Sequence, residues 1–253
     1  MNSILVTKKD FINSYENKKL GEFAIKKKNI SFPLKPSKEL AGIVGDLISD
    51  GHIGSHMVIY SSNNIENLND FGRRIRKIFN VKYKIRSVIT NTYGVKSLYV
   101  FDATVLRILK LCGVPEGNKV LQEYQIPLWI TNKDEFMIEF LRRMFSNDGC
   151  VTHNENRIKI KIMFHKSEKI LEDNYKFLDS IRLFLSKYDI KSTNIYKCGI
   201  YHRKDGIKTV GLGFEIQGTK NNINSALNFY HKIGFSDKTK SNKLENFIKK
   251  FAP

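Results

Sequence analysis

Glu39-Leu-Ala-Gly-Ile-Val-Gly-Asp-Leu-Ile-Ser-Asp-Gly51 and Glu139-Phe-Leu-Arg-Arg-Met-Phe-Ser-Asn-Asp-Gly149 are two helix-spaced apolar stretches, each ending on Asp followed at once by Gly. They set Asp50 and Asp148 at the tips of two similar helices. If such helices pack side by side, two carboxylates meet at one point, and a pair of that kind can hold a divalent cation. In the first stretch Leu40, Val44 and Leu47/Ile48 recur at helical spacing, Pro36-Ser37 supplies a start signal, and Gly51 is expected to end the helix as a left-handed residue.

Working outward from the first motif, His52–Tyr60 reads as a hairpin turning at Gly54-Ser55. Ile65, Leu68, Phe71, Ile75 and Ile78/Phe79 predict a helix over 65–79. Strands are expected at 81–86 and 97–101 around Asn91-Thr-Tyr-Gly94, and a helix at 104–111 closed by Gly113. The order then recurs. A helix over 133–148 precedes an alternating strand at 157–164, with Ile158, Ile160 and Ile162 on one face and Arg157, Lys159, Lys161 and Met163 on the other. A long helix at 167–187, strands at 190–198 and 209–217, and helices at 221–233 and 240–250 follow. This is αββαββα twice, a duplicated half rather than a short-repeat solenoid. Gly113-Val-Pro-Glu-Gly-Asn-Lys119 also parallels Gly234-Phe-Ser-Asp-Lys-Thr-Lys240, with Lys six residues after Gly in each. The expected divisions are a basic extension and linker at 1–37, with short helices near 8–17 and 20–28, then halves at 38–130 and 131–253.

The 253 residues carry 43 Lys+Arg against 25 Asp+Glu, a net charge of +18 that suits a polyanionic partner. A basic composition alone also fits a soluble protein with no such partner. Cys112, Cys150 and Cys198 are odd in number and widely spaced, so they imply neither a disulfide framework nor a zinc ribbon. Cys150 and His153 have no second ligand pair. The N-terminus lacks a signal-peptide core and no apolar run reaches membrane-spanning length, so an intracellular, soluble protein without a membrane partner is expected. Neither a Gly-rich phosphate loop nor a Ser/His/Asp set supports a small-molecule enzyme.

The motifs Ile43-Val-Gly-Asp-Leu-Ile-Ser-Asp-Gly51 and Leu141-Arg-Arg-Met-Phe-Ser-Asn-Asp-Gly149 resemble those of the LAGLIDADG homing endonucleases in their two-motif, single-chain form. The resemblance covers about residues 36–250. The run from Cys112 to Ile130 resembles the mid-section of archaeal-type and intein-type members. The implied fold is α+β: two pseudo-symmetric αββαββα halves, motif helices packed at the centre, and two antiparallel sheets forming a saddle over DNA. Arg143 stands where the first motif has Gly45, so it is expected to point away from the helix crossing.

The resemblance implies a double-strand endonuclease leaving short 3′ overhangs at a long non-palindromic site. It casts Asp50 and Asp148 as catalytic metal ligands, the carbonyls of Ser49 and Asn147 as further ligands, and Lys119 and Lys240 as basic residues near the reacting phosphate. Mg²⁺ is the expected cofactor, with Mn²⁺ substituting and Ca²⁺ binding without turnover. Expected DNA-contacting residues are Arg157, Lys159, Lys161, His165 and Lys166 in the second half and Ser61, Ser62, Lys82, Lys84 and Arg86 in the first. The other histidines are expected at the surface or groove, and Trp129 in the core or linker. Duplication within one chain predicts a monomer. The chain opens on Met and closes Phe251-Ala-Pro253 rather than on splicing residues, which favours a free-standing or intron-encoded enzyme. The alternative within the family is a non-cleaving RNA maturase, with intron RNA as partner, or a DNA-binding regulator.

Overall fold

The computed structural model describes residues 4–28, 30–87 and 94–251. Its helices are α1 (Lys8–Asn13), α2 (Lys18–Lys27), α3 (Lys38–Ile48), α4 (Ile65–Phe79), α5 (Ala103–Leu111), α6 (Leu128–Thr131), α7 (Asp134–Asn147), α8 (Leu171–Ser186), α9 (Asn224–Lys232) and α10 (Lys238–Phe251). Its strands are β1 (Gly51–Ile53), β2 (Val58–Ser62), β3 (Lys84–Ser87), β4 (Lys96–Val100), β5 (Cys150–His153), β6 (Arg157–Ser167), β7 (Tyr196–His202) and β8 (Lys208–Thr219). The order from α3 to α5 and again from α7 to α9 is αββαββα. The two sheets repeat one topology, β1-β2-β4-β3 and β5-β6-β8-β7, and every pairing is antiparallel.

Two compact units result: residues 1–117 with 127–140, and 118–126 with 141–253. In the first, the apolar stripe of α4 covers one face of the sheet, and Phe71 stacks on Tyr60 of β2 with ring centroids 4.6 Å apart. Asn64 starts this helix by accepting from Glu66 N–H, and Asn80, at φ 49°, ends it in the left-handed region that Asn tolerates. The N-terminal segment joins this unit: Val6 bridges Leu34, and Arg107 of α5 donates to the Ser14 carbonyl at 2.7 Å. Trp129 is half-buried here, its Nε1 donating to the Cys112 carbonyl at 3.0 Å. In the second unit Phe145 of α7 packs edge-on against Phe229 of α9 and Phe214 of β8.

Several boundaries differ from expectation. β6 runs on to Ser167, and a short 3-10 turn at Glu168–Ile170 separates it from α8. Ser167 stops the strand by accepting from Lys169 N–H, a local bond that competes with the ladder. The strand expected at 190–198 begins at Tyr196, because Asp189 turns the chain at φ 54° and Thr193 is drawn to the Glu215 carbonyl. β5 and α6 were not singled out by periodicity, being only 4 residues each. Asn91, Thr92 and Tyr93 of the expected turn lie outside the described residues. No helix among the described residues is long and apolar enough to cross a membrane.

Candidate active site at two helix ends

In the first unit, α3 is apolar almost all round and buried from Leu40 to Ile48. One charge lies inside that run. Asp46 is 1% exposed and is held by Nη2 of Arg74, which is 3% exposed and also donates to Asp70 at 2.9 Å. Sequence reasoning passed over Arg74. Its only signal is its place on the apolar side of α4, between Phe71 and Ile75.

The helix ends when the Ser49 hydroxyl turns back to the Gly45 and Asp46 carbonyls, at 2.7 and 3.2 Å. Asp50 follows, exposed, and the chain enters β1 at Gly51. Gly51 does not end the helix by a left-handed turn, since its φ is not among the positive ones. Glycine is required there for space: a Cβ would stand 2.5 Å from Leu47 Cα. Gly149 repeats the situation in the second unit, where a Cβ would stand 2.3 Å from the Phe145 carbonyl oxygen. Each glycine lies four residues after the residue it would strike, so the two Asp-Gly ends are built by one steric rule.

The second end is more heavily braced. Asp148 is half-buried, and its N–H continues the helix ladder to the Met144 carbonyl at 2.9 Å. Ser146 Oγ receives Ser236 N–H at 2.7 Å and the Ser236 hydroxyl at 2.9 Å, and Arg142 donates to the Ile233 carbonyl at 2.7 Å. These bonds seat the turn after α9, where Gly234 adopts φ 64°. Lys240, in the first turn of α10, reaches the end of α7. Its Nζ donates to the Ser146 carbonyl and, at 3.0 Å, to that of Asn147. A cation at the carbonyl end of a helix satisfies orphan acceptors and complements the dipole. The structure thus brings Lys240 to the residue before Asp148.

Lys119 begins a 3-10 turn at Lys119–Leu121, also in the second unit, and is half-buried. Its main-chain carbonyl accepts from Lys166 Nζ at 2.9 Å. The nearby Tyr124 phenol is held up from its ordinary pKa first by burial and then by the carboxylates of Asp148 and Asp173. Tyr124 thus stands within electrostatic range of Asp148. No sequence signal had marked it.

The strand faces sort the remaining candidates. Along β6 the residues Arg157, Lys159, Lys161, Met163 and His165 alternate with buried Ile158, Ile160, Ile162, Phe164 and Lys166. Lys159 pairs with Glu215 of β8 at 3.1 Å. Burial works to raise the Glu215 pKa, but hydrogen bonds from Tyr196, Lys159 and Gln217 outweigh it and hold the group below the usual range. His165 is pushed down by burial and by Lys161. Lys166, expected beside His165, faces the core instead, because consecutive strand residues point to opposite faces. The same parity separates Ser61 from Ser62. Ser61 bonds Ser97 across β4 at 2.7 Å, whereas Ser62 shares its side of the strand with buried Tyr60 and caps Asn64 N–H. Lys82, Lys84 and Arg86 are exposed along the β3 edge. Among the described residues no group of three or more His, Cys, Asp or Glu gathers in one place.

Comparison with known proteins adds the following. Residues 135–234 match the family model LAGLIDADG-like domain. The chain is 29% identical to the tRNA-splicing ligase RtcB of Methanocaldococcus jannaschii over 138 residues, 50% of this chain and 14% of that protein. Its share of the length of such curated relatives runs from 9% to 21%. The homing endonuclease I-WcaI bound to its DNA recognition sequence aligns with a TM-score of 0.50 at 14% identity, covering 94% of this chain and 98% of that one. Full-length DUF199/WhiA from Thermatoga maritima aligns with a TM-score of 0.48 at 15% identity, covering 88% and 63%. The paired four-stranded antiparallel sheets of this chain are the fold of the LAGLIDADG homing endonucleases.

Proposed function

We propose, from the premise that residues 135–234 match a LAGLIDADG-like domain, that this chain is a site-specific endonuclease of double-stranded DNA. The observation that carries the proposal is the matched construction of the two Asp ends. Each closes a helix with a buried apolar face, each is followed by a position where a Cβ would clash with the preceding turn, and each leads into a sheet of the same strand order. A binding protein has no need of both carboxylates.

Asp50 and Asp148 are the proposed acidic metal ligands, with the carbonyls of Ser49 and Asn147 as further proposed ligands. The donor set is entirely oxygen, which suits Mg²⁺, with Mn²⁺ as substitute and Ca²⁺ binding without turnover. When bound, such a cation supplies Lewis acidity toward the scissile phosphate. The chain's own groups do the rest. Lys240 holds the last turn of α7 through the Ser146 and Asn147 carbonyls, and so fixes the backbone that carries Asp148. The Asn147 oxygen keeps a second lone pair for a ligand. Lys119 and Lys240 contribute positive charge where the phosphate gains negative charge.

Arg157, Lys159, Lys161 and His165, with Ser61, Lys82, Lys84 and Arg86, form the proposed DNA-contacting set, the cations on phosphates and the shorter side chains on base edges. Ser62 and Lys166 turn from those faces, and their side chains are not assigned to DNA. Two non-identical motifs in one chain imply a monomer reading a non-palindromic target, since target symmetry mirrors protein symmetry. Incubating the purified chain with a randomised DNA library and Mg²⁺, then sequencing cut ends, tests the reading. One long asymmetric site with 3′ overhangs is expected; enrichment of bound but uncut DNA would favour a binding protein.

A further inference from the structure

Residues 118–126 belong to the second unit although the chain on both sides of them, 117 and before and 127 to 140, belongs to the first. Two anchors hold this arm. On one side Lys166 of β6 is buried to 3% exposure and spends its ammonium on main-chain oxygens of the arm, that of Lys119 at 2.9 Å and that of Gln122 at 2.5 Å. The same Nζ lies 3.5 Å from the ring centroid of Tyr124. On the other side Asp173 of α8 accepts from Tyr124 N–H at 3.1 Å and from Gln125 Nε2 at 2.6 Å. Tyr124 completes the seating by packing edge-on against Phe177. The arm begins with Lys119, and its Tyr124 stands in the field of Asp148.

We propose that Lys166 is a positioning residue: from the core side of β6 it fixes residues 119–125, and with them Lys119, the lysine of this arm to which a catalytic role is proposed above. The proposal rests on the endonuclease reading for its catalytic consequence. Three physical points support it. Burying a lysine is costly unless its ammonium is hydrogen-bonded, and here two main-chain oxygens of the arm supply those bonds. The carbonyls it takes lie at the first residue of the 3-10 turn and just past its last, so one cation fixes both ends of the turn. A cation over an aromatic face adds an attraction that strengthens as water is excluded. Lys119 itself lies on a turn of 3 residues and has no long element to hold it.

The test uses the full chain with Lys166→Met and Asp173→Asn, and Lys161→Met on the open face as contrast. Hydrogen exchange at the amides of 119–125 is expected to rise about 10-fold in Lys166→Met and to rise also in Asp173→Asn, with the rest of β6 protected. On a DNA site selected by cleavage, Lys166→Met should slow single-turnover cutting at least about 10-fold while equilibrium binding of that site changes less than about 2-fold. Lys161→Met should weaken binding and leave the arm's exchange as it was. Unchanged exchange in both arm variants, or cutting at the parent rate by a loosened arm, would overturn the proposal. If the parent chain cuts no site, the endonuclease reading falls and takes the catalytic consequence with it, while the exchange data still decide whether Lys166 holds the arm.

Discussion

Arg74 and Lys166, both 3% exposed, are cations that the formal charge of +18 counts but the surface does not display. Each is matched from within its own unit, Arg74 by Asp46 and Asp70 and Lys166 by two carbonyls. Removing Asp46 takes away the fully buried partner of Arg74 and leaves only the more exposed Asp70 to match its charge. Asp46→Ala should therefore cost about 3 kcal/mol in urea unfolding, and an unfolding free energy equal to the parent's would show the pair to be dispensable. Lys166 makes a pH prediction. Burial brings its pKa down from 10.5 to about 8, with Lys119 adding to the drop and Asp173 and Glu123 opposing it. Between those values the unfolded chain holds the proton and the folded chain does not. Stability therefore gains from this group as pH rises from about 8 to 10.5. Melting curves of Lys166→Met should lack that gain relative to the parent, and parallel curves would contradict it.

At the scale of elements, the repeat was legible because helices and strands of sufficient length write their period into the sequence. The helix at 65–79 and the alternation from Arg157 to Phe164 are both found where the spacing put them. What hid was short or parity-dependent. β5 is too short to show a period. Lys166 was misplaced because the expectation groups it with His165 at the strand's end, although neighbours along a strand face opposite sides. The Asp-Gly ends were legible, but the reason for glycine was not: the clash with a residue four positions earlier appears only once the chain has turned from helix into strand. Gly51→Ala and Gly149→Ala should each cost about 2 kcal/mol by forcing a methyl against the preceding turn. Calorimetric melts of the two variants check this. Alanine accepted without loss at both would leave the glycines unexplained.

At the scale of the whole molecule, the charge and the basic strand faces bear on association with DNA. Each phosphate neutralised adds about −0.9 to the slope of log affinity against log salt on B-DNA. Eight of the proposed contacts would give roughly −7 if all met phosphate; the serine and histidine contacts reduce this, so a slope near −5 is expected from binding across a salt series. A flat profile would count against the two faces as the DNA-binding surface. The central proposal is narrower: cutting both strands requires both Asp ends, and neither is only a helix terminus. The most direct measurement compares Asp50→Asn, Asp148→Asn and the parent chain on one selected DNA site in Mg²⁺, following binding and double-strand cutting in the same samples. The account predicts that both variants bind the site about as tightly as the parent and that neither cuts both strands. Double-strand cutting at the parent rate by either variant would contradict it.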